Sequence, residues 1–114
     1  MTHTPVEIID HVTSLIQKGW CKEAYALNAQ GMEVSFEDPN ATCFCLSGAL
    51  WRAETDLKAF GPASILVRDT VEIVARGVCG YGITMFNDTK EVSKEDVLRV
   101  LQEARQLLTP QQHT

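Results

Sequence analysis

The run ATCFCLSGALW, residues 41–51, constrains this chain more than any other stretch. Wound as a helix, Cys43, Phe44, Cys45, Leu46, Ala49, Leu50, Trp51 and Ala53 cover nearly every side. A helix that is apolar all round is buried all round. Asp38-Pro39 offers a cap and a proline at the first helical position. The sequence therefore predicts a fully enclosed central helix over 39–57, with the other elements packed around it. Gly48 in its interior costs about 1 kcal/mol relative to alanine, and the expected compensation is close approach of a neighbouring helix or strand.

The ends of the chain carry the clearest punctuation. Thr4-Pro5-Val6-Glu7 combines an N-cap, a proline at N1 and a glutamate at N3, and Ile8, Ile9, Val12, Leu15 and Ile16 follow at helical spacing. Gly19 suits the residue past the end, so a helix is predicted over 5–18. Near the other end Ser93 and Asp96 form a second cap, with Val92 and Val97 as a hydrophobic staple. Val97, Leu98, Leu101, Ala104, Leu107 and Leu108 then face inward, and Thr109-Pro110 stops the helix. Glu95–Arg99 and Arg99–Glu103 are candidate i, i+4 pairs.

Between these ends the signals are weaker. The runs 24–27 and 32–36 flank Asn28-Ala29-Gln30-Gly31 and read as a β-hairpin that must pack on helices. Residues 64–76 read as a third helix closed by Gly77. Residues 78–86 are glycine-rich and β-leaning, a loop with a short strand. The expected architecture is a mainly α (α+β) domain of four helices and one small hairpin. It forms one globular unit over 1–114, with frayed ends at 1–4 and 109–114.

Charge narrows the function. Ten Lys and Arg against fifteen Asp and Glu give a formal net charge of −5. Such a chain gains little from counterion release, so nucleic acid is not an expected partner. No apolar run approaches the ~18–20 residues of a membrane helix. MTHTPVE has neither a charged nor an apolar leader region, so a cytoplasmic chain with reduced cysteines is expected.

On a helix Cys43 and Cys45 point about 200° apart and cannot share a metal ion, so they read as core. A zinc site from Cys21, Cys79, His11 and one helix cysteine is the alternative. Cys21 beside Lys22 is the best candidate nucleophile, but the helix end before it carries the wrong dipole for a thiolate. His11 beside Asp10 reads as a solvated residue. No phosphate-loop pattern accompanies Gly77, Gly80 and Gly82.

The remaining candidate binding residues are Trp20, Cys21, Tyr25, Arg52, Arg68, Tyr81, Asn87 and Asp88. Trp20 and Trp51 read as core indoles that need N–H acceptors. Tyr25 and Tyr81 could line a cleft. Arg52 and Arg68 could meet an anion or close structural ion pairs. Asn87-Asp88 reads as an Asx-turn at a loop, or as part of a cleft. A carboxylate pair of Asp88 with Asp69 or Glu72 is a further option.

The order of these pieces resembles a family of small bacterial and phage domains of unknown function. Gly19-Trp20-Cys21, Asp38-Pro39, Cys45-Leu46-Ser47-Gly48-Ala49-Leu50, Phe86-Asn87-Asp88 and Glu95-Asp96-Val97-Leu98 match its GWC, D-P, W-C-x-x-G-A-L, W-N-D and E-V-L motifs. Phe44 and Phe86 replace tryptophans. The resemblance spans Val6 to Leu108 and implies an accessory role, such as inhibition of a host system, and no activity. The leading expectation is a non-catalytic interaction protein with no cofactor and no resident metal. Its partner would be a protein or a second copy. A small-ligand pocket between the hairpin, the glycine loop and the Asn87-Asp88 turn comes second, and a cysteine- or metal-dependent enzyme third.

Overall fold

A computed structural model of the chain describes residues 2–110. Helix α1 (Pro5–Lys18) opens with the capping box read from the sequence. The Thr4 hydroxyl accepts the Glu7 N–H at 3.1 Å, and the Glu7 carboxylate accepts the Thr4 N–H at 3.0 Å. The apolar stripe Ile8, Ile9, Val12 and Ile16 is buried. The last helix, which follows six further helical and strand elements described below, spans Lys94–Leu108 and repeats the device with Ser93 and Asp96. Val92 packs against the core ahead of that cap, as a staple should. Arg99 pairs with Asp96 at 3.2 Å, three residues back, in place of either expected glutamate. Residues 111–114, in the tail expected to fray, lie outside the described residues, as does Met1.

The hairpin forms where it was expected, and a third strand joins it. Strands β1 (Ala26–Asn28), β2 (Glu33–Val34) and β3 (Ala41–Phe44) make an antiparallel sheet in the order β2-β1-β3. Ala26 lies opposite Val34 on one side and Phe44 on the other, and Leu27 opposite Glu33 and Cys43. A parallel bridge from Phe44 to Trp20 extends the pairing into the segment after α1.

The long central helix is therefore corrected. Asp38-Pro39 is a turn: the Asp38 carboxylate accepts the Asn40 N–H at 2.7 Å, and its carbonyl accepts the Ala41 N–H. Residues 41–44 run extended, and helix α2 (Leu46–Leu57) begins only after Cys45, whose sulfur accepts the Gly48 N–H at 3.2 Å as an N-cap. A short apolar run fits a buried strand and a buried helix equally well. Here the unpaired edge of β1 decides between them, because its N–H and C=O groups need partners.

Cys43 and Cys45, two apart on extended chain, leave the backbone on the same side rather than diverging. Cys43 is half-buried and Cys45 buried, so neither lies fully open to solvent. Helix α2 is also not enclosed all round, since Trp51, Arg52 and Thr55 are half-buried. The close approach expected at Gly48 is present. A Cβ there would collide with the carbonyl oxygen of Tyr25. Gly19 plays the same part against Thr42 and Cys43.

The third helix is longer than the sequence suggested. Helix α3 runs Pro62–Cys79, passes straight through Gly77, and stops at Gly80, which adopts φ 80°. A glycine marks a helix end only when the chain there must turn left-handed, and Gly77 stays helical. The segment read as a loop with a short strand holds helix α4 (Ile83–Asp88) instead. Its first N–H, from Ile83, is accepted by the Glu72 carboxylate at 3.1 Å. An acid supplied from α3 starts this helix, and no local pattern announces it.

The helix Lys94–Leu108 is thus α5. Helices α1, α3 and α5 pack on one another, α2 lies on α1, and α4 bridges α2 and α3. Among the described residues no helix is long and apolar enough to cross a membrane.

The two mid-helix glycines should respond oppositely to alanine. Gly48→Ala drives a methyl into a backbone carbonyl, and overpacking of this kind costs about 1–3 kcal/mol. Gly77→Ala adds its methyl in open space and should gain up to about 1 kcal/mol in helix propensity. Urea denaturation of both variants reads the two signs.

Candidate functional site

The carboxamide of Asn87 makes four hydrogen bonds and is the polar junction around which the site is built. Asn87 lies on α4 with 1% of its surface exposed. Its Oδ1 accepts the Trp20 indole N–H at 2.7 Å and the Leu46 N–H at 3.0 Å. Its Nδ2 donates to the Cys21 carbonyl and to the Asp88 carboxylate, both at 3.1 Å. Both donor hydrogens and both acceptor lone pairs are engaged. Leu46 is the first residue of α2, so this side chain satisfies one of that helix's free N–H groups.

Neighbouring groups extend the junction. Asp88 accepts the N–H of Glu23, which holds φ 65° without being glycine. The Lys22 ammonium donates to the Thr89 and Lys90 carbonyls and lies 5.5 Å from the Trp20 ring centre. The segment after α1 is thus fastened to the end of α4. Asn87 and Asp88 do not form the expected Asx-turn; they sit in a helix and reach across to another part of the chain.

Four of the eight candidate residues, Trp20, Cys21, Asn87 and Asp88, therefore meet at one place. Every one of them faces inward to a protein partner. Burial pushes the Cys21 thiol up to about 12, with Cys45, Cys43 and Asp88 adding to the effect. Burial also raises Cys45, against the opposing pull of the Gly48 and Ser47 N–H groups. Both thiols are held in the unreactive form at neutral pH. Among the described residues no three His, Cys, Asp or Glu side chains converge as a metal ion requires.

Tyr25 lies beside the junction, on a cleft of about 600 Å³ between the hairpin and α4. It is half exposed, with its ring 5.0 Å from that of Trp51. Glu23, Glu33 and Ser35 line the hairpin side, with Cys45 and Thr84 opposite. The other three candidates lie elsewhere. Arg68 approaches Glu54 to 2.9 Å, an ion pair without hydrogen-bond geometry. Tyr81 stands exposed between α3 and α4. Glu72 faces Arg76 and the Ile83 N–H, while Asp88 faces Glu23, so no carboxylate pair is built from them.

Arg52 belongs to a second groove, of about 430 Å³, together with His11, Lys18 and Asp56. Its Nε donates to Asp56 Oδ1 at 2.9 Å, and its Nη1 donates to the carbonyls of Phe36 and Asp38, each at 2.9 Å. His11 Nε2 lies 2.9 Å from the other oxygen of Asp56. Burial would raise the Asp56 carboxyl, but the hydrogen bonds from His11 and Arg52 outweigh it and hold the group below the ordinary carboxylate range. Reading His11 as merely solvated missed this cluster. The Arg52–Asp56 spacing is visible in the sequence, whereas a histidine 45 residues upstream gives no local signal.

A third feature is apolar. Ile65 is 51% exposed, Leu66 50% and Ile73 66%, all on α3. Leu66 and Ile73 are two turns apart and share one outward face, with Asp69 between them and Gly77 beyond. Tyr81 and Met85 continue the exposed apolar series past the end of the helix.

A profile built for a family of unknown function, DUF6197, matches residues 1–107. The chain belongs to that family. No curated protein and no solved structure matches it. The family resemblance drawn from the sequence rested on five stretches, among them GWC, G-A-L and N-D. In this DUF6197 chain the named stretches are the partners around Asn87 and the close packing at Gly48.

Two measurements check the junction. Asn87→Ala leaves the Leu46 N–H, the Trp20 N–H and the Cys21 carbonyl without partners. Each unsatisfied buried group costs about 1–3 kcal/mol, so thermal unfolding should show a loss of several kcal/mol. The raised Cys21 thiol yields thiolate only as pH climbs toward 12. Alkylation of the native chain near about pH 8 should therefore label Cys43 and Cys79 well before Cys21 and Cys45.

Proposed function

We propose that this chain is a non-catalytic interaction protein whose binding surface is the outer face of α3 and whose first partner is a second copy of itself. The exposure of Ile65, Leu66 and Ile73 along one helix carries the reading. These side chains lie outside the core, and no other element among the described residues covers them. Trp20, Cys21, Asn87 and Asp88 already have internal partners, whereas this face turns large apolar side chains to solvent.

The charges flanking the face fit a second copy. Asp69 is exposed and has no side-chain partner among the described residues. Arg76, seven residues later, has its side chain 62% exposed and pairs with Glu72 of its own helix. When two α3 helices cross antiparallel about an axis near Ile73, Asp69 of each meets Arg76 of the other. Such an interface is self-complementary, as two-fold symmetry requires. Gly77 offers room for the opposing Leu66 to approach the backbone.

The hairpin cleft supports a second reading, a site for a small cationic ligand. Glu23 and Glu33 on its wall and the half-exposed Tyr25 ring are the groups that favour it.

Sedimentation of the purified chain across a concentration series tests the main reading. A concentration-dependent dimer is expected, and Ile73→Glu should leave a folded monomer. Asp69→Arg alone should weaken the dimer, and adding Arg76→Asp should restore it. A monomer at every concentration, with Ile73→Glu indistinguishable from the parent, would rule out the second copy.

A further inference from the structure

The groove between α1, β3 and α2 is an independent site, and we propose that it binds a small organic anion: a carboxylate or phosphate head carried on a flat apolar body. The charge balance is the first argument. The chain carries net −5, yet this groove gathers Lys18, Arg52 and the His11 imidazole around a single carboxylate, Asp56. Both Asp56 oxygens are already engaged, one by Arg52 Nε and one by His11. The acid thus fixes the Arg52 guanidinium and the His11 ring, and with Lys18 the groove holds two basic side chains against one carboxylate.

The second argument is preorganisation. Arg52 is gripped by Asp56 and by two backbone carbonyls, and its guanidinium carbon sits 5.5 Å from the centre of the Phe44 ring. Its side chain is 18% exposed. These contacts use Nε and Nη1 and leave Nη2 without a protein partner among the described residues. The Lys18 ammonium also has none among them. A guanidinium held rigid with one nitrogen free donates to an oxyanion at low entropic cost.

The third argument is the floor. Leu15 and Ala41 supply apolar surface next to the basic groups, with Phe44 buried beneath them and the Thr42 hydroxyl as a further polar group. A volume of about 430 Å³ lies within the range of small-molecule sites. An inorganic ion would leave the floor uncovered, and a neutral aromatic would leave the donors unmet. The two together select an amphiphilic anion.

The test is a ¹H–¹⁵N NMR titration of the native chain with benzoate, phenyl phosphate and, as a neutral match of shape, benzyl alcohol. Amide shifts at Leu15, Thr42 and Phe44 are expected with either anion and not with the alcohol; the ratio of the two anions' affinities tells carboxylate from phosphate. Lys18→Gln changes an exposed residue outside the core and should weaken binding about tenfold, the loss of one charge-assisted hydrogen bond. His11→Gln keeps a hydrogen-bond donor to Asp56 and should weaken it less. Equal response to benzyl alcohol, shifts unaffected by Lys18→Gln, or no shift at millimolar anion would each overturn the proposal. None of these outcomes depends on whether the chain dimerises through α3.

Discussion

One side-chain amide in a dry location organises this molecule. Asn87 joins three segments that are far apart in sequence: the strand-like stretch after α1, the first turn of α2, and α4 itself. Each bond it makes answers a group that would otherwise be buried without a partner. Aspartate could accept the two N–H groups but could not donate to the Cys21 carbonyl, and an apolar residue could do neither. Asn87 therefore fixes where α2 begins and where the sheet ends.

The sheet depends on that arrangement in turn. β1 lies between β2 and β3, and β3 also reaches the segment at Trp20. For these backbones to meet α2 so closely, side chains must be missing at the contact points. Gly19 and Gly48 supply the space. Cys43 and Cys45 complete the corner, the first half-buried and the second an N-cap through its sulfur. The stretch that looked most like chemistry in the sequence is thus a joint between a strand and a helix.

What distinguishes the surfaces is whether their groups already have partners. The Trp20–Asn87–Asp88 junction is closed upon itself. The α3 face exposes large apolar side chains, and the groove at Arg52 holds donors without a partner among the described residues. These are different kinds of surface, the first proposed for a second copy of the chain and the second for a small anion, and they lie on different helices, α3 and the α1–α2 pair.

Much of this was legible in the sequence where structure is set locally. The capped helices α1 and α5 follow from Thr4, Glu7, Ser93 and Asp96 reading the same way as the apolar spacing beside them. The hairpin at 28–31 and the mainly helical class follow for the same reason, and Gly48 announced a close neighbour without saying which. Tertiary structure alone decided the rest. Residues 41–44 became a strand because the open edge of β1 required hydrogen-bond partners. α4 formed because Glu72 caps it from another helix, and His11 joined Asp56 across 45 residues. Local caps and periodicity are written within a few neighbouring residues, whereas the partner of a buried polar group is set by which distant segment the packed core brings beside it.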